Sequence, residues 1–347
     1  MKRIGRAMRS AGVWLGLCAM IFAGCKSTAN GEAAEKGSTP LMAGTTAAVP
    51  QVPDDAMPPE KTGGFDGAKA YGHVARLVSF GPRPSGSQAI LQTQDYITSQ
   101  LSSFGCTVDA DSFSADTPAG RLPMKNIVAK IQGERQGIIL LATHYDTKRL
   151  DNFVGADDGG SSTGVMLELA RKMCAMRPHY SIWISFFDGE EAVRKEWQDP
   201  DNRYGSRQMA AKMASSGELK QVRAMILADL VGGKALGIRK EQYSTKELED
   251  LIWATAKRLG YGQIFLDEAT PVDDDHLSFL ARGVPSADVI DLVNSAGYWH
   301  TPQDTLDKIS AKSLGIVGHV LLESVAMLQT RPPSAIMRQE PLKADGR

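Results

Sequence analysis

The chain has 347 residues, with 39 Lys+Arg against 40 Asp+Glu and a formal net charge of −1, so it lacks the basic surplus of a nucleic-acid binder. Its 42% hydrophobic and 23% charged residues exclude a wholly disordered chain and suit a globular protein with a core. Cys18 and Cys25 lie at the N-terminus, and Cys106 and Cys174 alone are too few for a disulfide scaffold.

Lys2, Arg3, Arg6 and Arg9 form a basic head before an apolar run over 11–23. That run is too short to span a bilayer comfortably and fits the h-region of a secretory signal, residues 1–24. It ends in Phe22-Ala23-Gly24-Cys25, which resembles a bacterial lipobox with Phe22 where Leu is usual. Cleavage there leaves Cys25 as a lipidated first residue. An ordinary signal peptide with an incidental Cys25 is the plainer alternative, and a retained signal anchor a third. Residues 26–64 carry no aromatic residue but do carry Pro40, Pro50, Pro53, Pro58 and Pro59, so 25–64 is expected to be a flexible tether. No later segment is expected to span a membrane, which leaves the lipid anchor as the one membrane link. The chain is then expected to be exported and held at the cell envelope. With Lys26 rather than Asp after Cys25, a Gram-negative host would place it on the periplasmic face of the outer membrane. Residues 65–347 match the upper range for one α/β domain. A monomer is expected.

In that domain Tyr71, Val74, Leu77 and Val78 recur at helical spacing, and Gly81-Pro82-Arg83-Pro84 stops the helix. Ser85 or Ser87 caps a second helix running towards Phe104. Residues 106–113 and 125–131 read as strands, and the unbroken apolar run 138–142 as a strand covered on both faces. Helices over 163–176, 204–214, 245–259 and 310–328 then alternate with strands over 181–187, 222–227, 263–266 and 287–290. This alternation predicts a three-layer α/β sandwich around a mixed, mostly parallel sheet flanked by helices. In such sheets the site lies at the carboxyl ends of the strands.

Polar residues gather where the apolar strands finish. His144 and Asp146 follow the first buried strand, and Asp157 and Asp158 occupy a Gly-rich turn before a helix. Asp188, Glu190 and Glu191 follow Phe187, Asp229 ends the next strand, and His300 lies beyond the last one. Taken singly, such residues cap helices or have structural roles. Five acidic or imidazole clusters converging on one edge exceed what solvated loops need. Carboxylate and imidazole donors suit zinc with an open coordination position, and the lack of a nearby Cys pair argues against a closed structural site.

Ala142-Thr143-His144-Tyr145-Asp146, Gly155-Ala156-Asp157-Asp158, Asp188-Gly189-Glu190-Glu191, Ala228-Asp229 and Trp299-His300-Thr301 together resemble the zinc aminopeptidase and glutaminyl cyclase superfamily. Phe186-Phe187 before the acidic turn, Trp197, Tyr204-Gly205-Ser206-Arg207, Asp274-Asp275-His276 and Arg282-Gly283-Val284-Pro285 make the chain more similar to the animal-type glutaminyl cyclases. The resemblance implies a zinc-exopeptidase-like fold and one zinc held by Asp158, Glu191 and His300. It also implies Glu190 as the proton shuttle, Asp229 and Asp274 assisting at the substrate, and Trp197 and Trp299 walling the pocket. This chain departs from the animal enzymes in three ways. Thr143 and Thr163 stand where those enzymes carry a cysteine pair, a histidine of the animal pocket aligns with Asp288, and the loop 192–197 is one residue longer.

The implied reaction converts the N-terminal Gln of a peptide or protein to pyroglutamate with release of ammonia. The nucleophile is already tethered, so the enzyme must chiefly orient it, move its proton and exclude water. A zinc aminopeptidase stays open as the alternative, with His144 and Asp229 as second-metal ligands, Asp158 bridging and Glu190 activating a water. Without the resemblance, Trp197 also reads as a surface-packed aromatic and Asp274 as a helix N-cap ahead of His276. A non-catalytic surface lipoprotein is the third class, disfavoured because the full metal set and Glu190 are all present.

Overall fold

The strand and helix signals assemble around one sheet in a computed structural model, which describes residues 55–331. In chain order the elements are α1 (Gly67–Val78), α2 (Gln88–Ser103), β1 (Thr107–Thr117), β2 (Gly120–Ile131), β3 (Arg135–His144), α3 (Gly160–Met173), β4 (Tyr180–Phe187) and α4 (Tyr204–Ser216). They continue with β5 (Val222–Asp229), β6 (Ile238–Glu241), α5 (Lys246–Arg258), β7 (Phe265–Thr270), α6 (His276–Leu280), β8 (Ser286–Ile290), α7 (Leu292–Ser295) and α8 (Ala311–Thr330).

The main sheet has the order β1-β2-β4-β3-β5-β8. Its first two pairings are antiparallel and the other three parallel, which bears out the mixed, mostly parallel sheet. β4 is buried along its whole length, Ser181 and Ser185 included, as expected of a strand covered on both faces. Alternate residues feed opposite layers. Ile139 and Leu141 of β3 join Ile182, Ile184 and Phe186 of β4 beneath α1, α2, α3, α5 and α8. Leu140, Trp183 and Phe187 pack with Met209, Met213 and Phe279 of α4 and α6 on the other face. The chain passes from β3 through α3 to β4 on one side, then crosses β3 to reach β5 on the other. That reversal opens a crevice at the carboxyl ends of β3, β4 and β5.

Several boundaries differ from expectation. Ser87, not Ser85, caps α2, its side chain accepting from the Ile90 amide at 3.1 Å. The strand expected at 263–266 is β7, which pairs outside the main sheet with β6, a strand too short to stand out by periodicity. The domain also starts before residue 65. Residues 59–61 form a 3₁₀ turn, Thr62 is fully buried, and Ser310 donates to Asp55 at 2.5 Å, so the end of the expected tether packs on the domain. The signal peptide, Cys25 and the rest of the tether lie outside the described residues. α8 corrects the expectation that no later segment could span a membrane. Its 20 residues are long enough and hold an 18-residue window of mean hydropathy 1.4, but 72% of that window is buried, as in a core helix.

Cys106 and Cys174 form a disulfide with Cα atoms 5.1 Å apart across 68 residues of sequence, joining the start of β1 to the end of α3. Closing a loop of that length removes about 4 kcal/mol of unfolded-chain entropy.

Candidate active site and metal centre

Each strand end delivers part of the site. β3 ends in His144, β4 leads into Asp188-Gly189-Glu190-Glu191, and β5 ends in Asp229. The turn before α3 brings Asp158 against them. Gly159 in that turn has φ +68°, and a Cβ there would meet the His144 ring at 2.8 Å, so only glycine lets the turn approach β3 so closely.

Buried groups hold these turns in place. Asp146 accepts from the amides of Glu190 at 3.1 Å and Glu191 at 3.3 Å. Asp304 does the same for the amides of Asp157 and Asp158, at 2.8 and 3.0 Å. The fully buried Arg83 donates to the carbonyls of Tyr145 at 2.8 Å, Val154 and Gly155 at 2.9 Å. Asp188 accepts from Ser85, Gln94, Tyr145 and the Lys125 amide, which makes it a scaffold residue and not a pocket acid. The hydroxyls of Thr143 and Thr163 both donate to the His144 carbonyl, at 3.0 and 2.9 Å. Two hydrogen bonds thus occupy the place of the animal cysteine pair. Arg83 and Asp304 were not singled out from the sequence. The Pro-flanked Arg83 and the acid four residues after His300 carried no local pattern that marks burial.

Two donor sets meet at Asp158. His300 Nε2 lies 3.1 Å from Glu191 Oε1 and 3.3 Å from Asp158 Oδ2. His144 Nε2 lies 3.1 Å from Asp229 Oδ1 and 3.3 Å from Asp158 Oδ1. Each trio could hold a metal ion. The donor chemistry fits a divalent metal with an open position, and Asp158 Oδ2, Glu191 Oε2 and His144 Nδ1 are buried without a hydrogen-bond partner. His300 itself has φ +52°, a left-handed conformation costing a non-glycine residue on the order of 1–3 kcal/mol. Its ring stacks on Trp299 at 4.0 Å and meets the edge of Phe153 at 5.8 Å, so packing fixes its aim.

The electrostatics follow from burying so many acids together. Burial first, then Asp274 and Glu191, push the Glu190 carboxyl well above its usual value against the opposing pull of His144. Burial and Asp229 push Asp274 up to about 6. Burial works against a charged His300, but Asp158 and Glu191 outweigh it and raise the imidazole to about 10. His144 is raised in the same way by Asp229, Asp146 and Asp158, against its burial. Burial also acts on Asp158, yet the two histidines hold it below the usual carboxylate range.

A cleft opens over this floor. Asp158, Glu190, Glu191, Asp229, Asp274 and His300 line it, with Trp197 and Trp299 among its walls, so all the expected pocket residues except His144 reach it. His144 lies beneath, 1% exposed. Asp274 is no N-cap: it accepts from the neighbouring Asp275 amide at 2.5 Å and sits in the cleft, while Asp275 precedes α6 without capping it by side chain. Trp197 lines the cleft and is not a surface-packed aromatic. Asp288, the position of the animal histidine, is buried behind the cleft with Oδ2 3.8 Å from His276 Nδ1.

The sequence model of peptidase family M28 matches residues 126–325. The mouse glutaminyl-peptide cyclotransferase-like protein is 32% identical over 255 residues, which is 64% of this chain and 66% of the mouse protein. The chain thus spans just under two thirds of that relative's length. The crystal structure of a glutaminyl cyclase from an Acidobacteriales bacterium has a TM-score of 0.73 at 39% identity, covering 77% of this chain and 96% of that one. A Zn-dependent exopeptidase from Parabacteroides distasonis has a TM-score of 0.68 at 30% identity, covering 77% of this chain and 99% of that one. This chain covers both solved relatives almost end to end, and the residues matched by the family model, 126–325, include the strand ends described above. The chain belongs to peptidase family M28, on its glutaminyl-cyclase branch.

Proposed function

We infer that the protein is a glutaminyl-peptide cyclotransferase acting on peptides or proteins with an N-terminal Gln. The observation that carries the reading is the joining of three elements in one cleft: the Asp158, Glu191 and His300 donor set, the buried Glu190 beside it, and the walls Trp197 and Trp299. In the reaction the α-amine nitrogen bonds to the side-chain amide carbon of the same Gln. The bond from that carbon to the amide nitrogen breaks, and the proton lost by the amine leaves with ammonia.

Zinc held by Asp158, Glu191 and His300 would supply Lewis-acid polarisation of the side-chain carbonyl. Glu190 takes the amine proton and returns it to the departing nitrogen, a role that its raised proton affinity suits. Asp229 and Asp274 offer acceptor oxygens at the same end of the cleft and orient the amine and the amide nitrogen. Trp197 and Trp299 flank the Gln side chain and keep out water, which would otherwise compete as nucleophile. Incubated with a Gln-initiated peptide, the protein should yield a product lighter by one ammonia with its first peptide bond intact. Removal of the first residue instead would overturn the reading.

That outcome would favour a two-metal aminopeptidase. The specific observation behind this second reading is the gathering of His144, Asp158 and Asp229 into a second donor set.

For location, the Cys106–Cys174 disulfide supports export to an oxidising compartment. We take Cys25 as the lipidated residue and the folded domain as a monomer tethered at the envelope, on the outer membrane in a Gram-negative host. Cys25→Ala should move the protein from the membrane to the soluble fraction with unchanged turnover. Wild type that already fractionates as soluble and unlipidated would end the anchor reading.

A further inference from the structure

Two buried cations lie close under the acids of the cleft, and they are used differently. Arg83 spends its guanidinium on the carbonyls of Tyr145, Val154 and Gly155. Lys148, four residues beyond His144, is 3% exposed, and its Nζ makes no hydrogen bond. A buried ammonium without a partner is costly, so it needs an electrostatic reason to be there. Its nearest charged group is Glu191 Oε2 at 3.7 Å, and that oxygen also lacks a hydrogen bond. On its other side the Nζ lies 5.9 Å from the centre of the Trp197 ring, within cation–π reach. Its backbone is fixed as well: next to it, Thr147 exchanges hydrogen bonds with Arg83, its hydroxyl accepting at 3.0 Å and its amide donating at 3.3 Å.

The two oxygens of Glu191 are therefore divided. Oε1 faces His300 Nε2 at 3.1 Å within the donor set, while Oε2 faces Lys148. A carboxylate free to turn can offer both oxygens to a metal. Doing so takes up a coordination position that a catalytic site must keep open for substrate. We propose that Lys148 is a positioning residue that holds Glu191 Oε2 away from the metal, so that Glu191 gives one oxygen and a position stays free for the substrate carbonyl. The proposal rests on the reading of Asp158, Glu191 and His300 as the ligand set.

The test replaces Lys148 by Met, which keeps the chain length and removes the charge, and loads wild type and variant with zinc or with cobalt(II). Wild type should bind one metal per chain through this set. If it does not, or if His300→Ala leaves binding intact, the ligand reading fails and the role of Lys148 falls with it. Given binding, the variant should keep its metal while kcat/KM falls roughly 10–100-fold, as for other groups that orient metal ligands. The visible absorption of the cobalt(II) form should weaken, as four-coordinate cobalt becomes five-coordinate. An unchanged cobalt spectrum, or loss of the metal from a folded variant, would overturn the proposal. Should Lys148→Met fail to fold, Lys148→Gln keeps a neutral donor at the same place. Its cobalt spectrum should fall between the two limits, and a wild-type spectrum with wild-type kcat/KM would overturn the proposal equally.

Discussion

The two donor sets that share Asp158 differ in their access to substrate. His300, at the cleft, has a side chain 19% exposed, whereas His144 is 1% exposed beneath it. Glu191 turns its Oε1 to the open set, while Asp229 closes the covered one through its 3.1 Å contact with His144. Identical ligand chemistry is thus placed at two depths, and depth determines what each set can do. A metal at the open set can meet a carbonyl entering the cleft. The covered set has His144 poised between Asp229 and Asp158, which with Asp146 raise its proton affinity against its burial. The same residue types that build a two-metal hydrolase can therefore serve one metal and one internal cation.

The sharpest break of this comparison is a pair of histidine substitutions. His300→Ala should abolish turnover and release zinc, because it removes a ligand from the open set. His144→Gln should leave zinc at one per chain by metal analysis. A fall from two zinc ions to one in that variant would turn the covered set into a second metal site.

Next in size is Glu190→Gln, which keeps the side chain's volume but cannot accept a proton. General acid–base catalysis contributes about 10²–10⁴-fold, so kcat should fall by that range with zinc content unchanged. A variant with wild-type kcat would remove Glu190 from the chemistry.

The smallest effect is on metal affinity against pH. Metal-free His300 titrates at about 10, raised by Asp158 and Glu191 against its burial. At any pH below that value zinc must displace its proton, so affinity should weaken as pH falls, by about tenfold per unit for each proton displaced. Calorimetric titrations in buffers of different ionisation enthalpy should show proton release on zinc binding at pH 7. The absence of release would mean that His300 is not a ligand.

Much of the architecture is local enough to read from residue order. The unbroken apolar run of β3 marks a strand covered on both faces and the largely apolar run of β4 a second strand, and each keeps eight buried positions in succession. The acids following those runs mark the carboxyl edge, and the motifs around His144, Asp158, Glu190, Glu191, Asp229 and His300 name the donors. Asp274 and Trp197 were more ambiguous, since a cap and a surface aromatic fit the same local pattern. Their places depend on the loops 192–203 and 271–275 meeting at the cleft, where Arg203 pairs with Asp273 at 2.8 Å and Trp197 and Asp274 both reach the lining.

By itself, then, the sequence determined the α/β alternation, the edge that carries the site and the kinds of donor found there. All of these follow from backbone geometry and side-chain periodicity over a few residues. Only the tertiary structure decided that Asp304 would seat the amides of Asp157 and Asp158 from almost 150 positions away, that Cys106 would meet Cys174, and that Lys148 would be buried against Glu191. The physical reason is that a charged residue in a loop reads as solvated unless something distant covers it. What covers Lys148, Arg83 and Asp304 is the packing of turns that meet only once the sheet has formed.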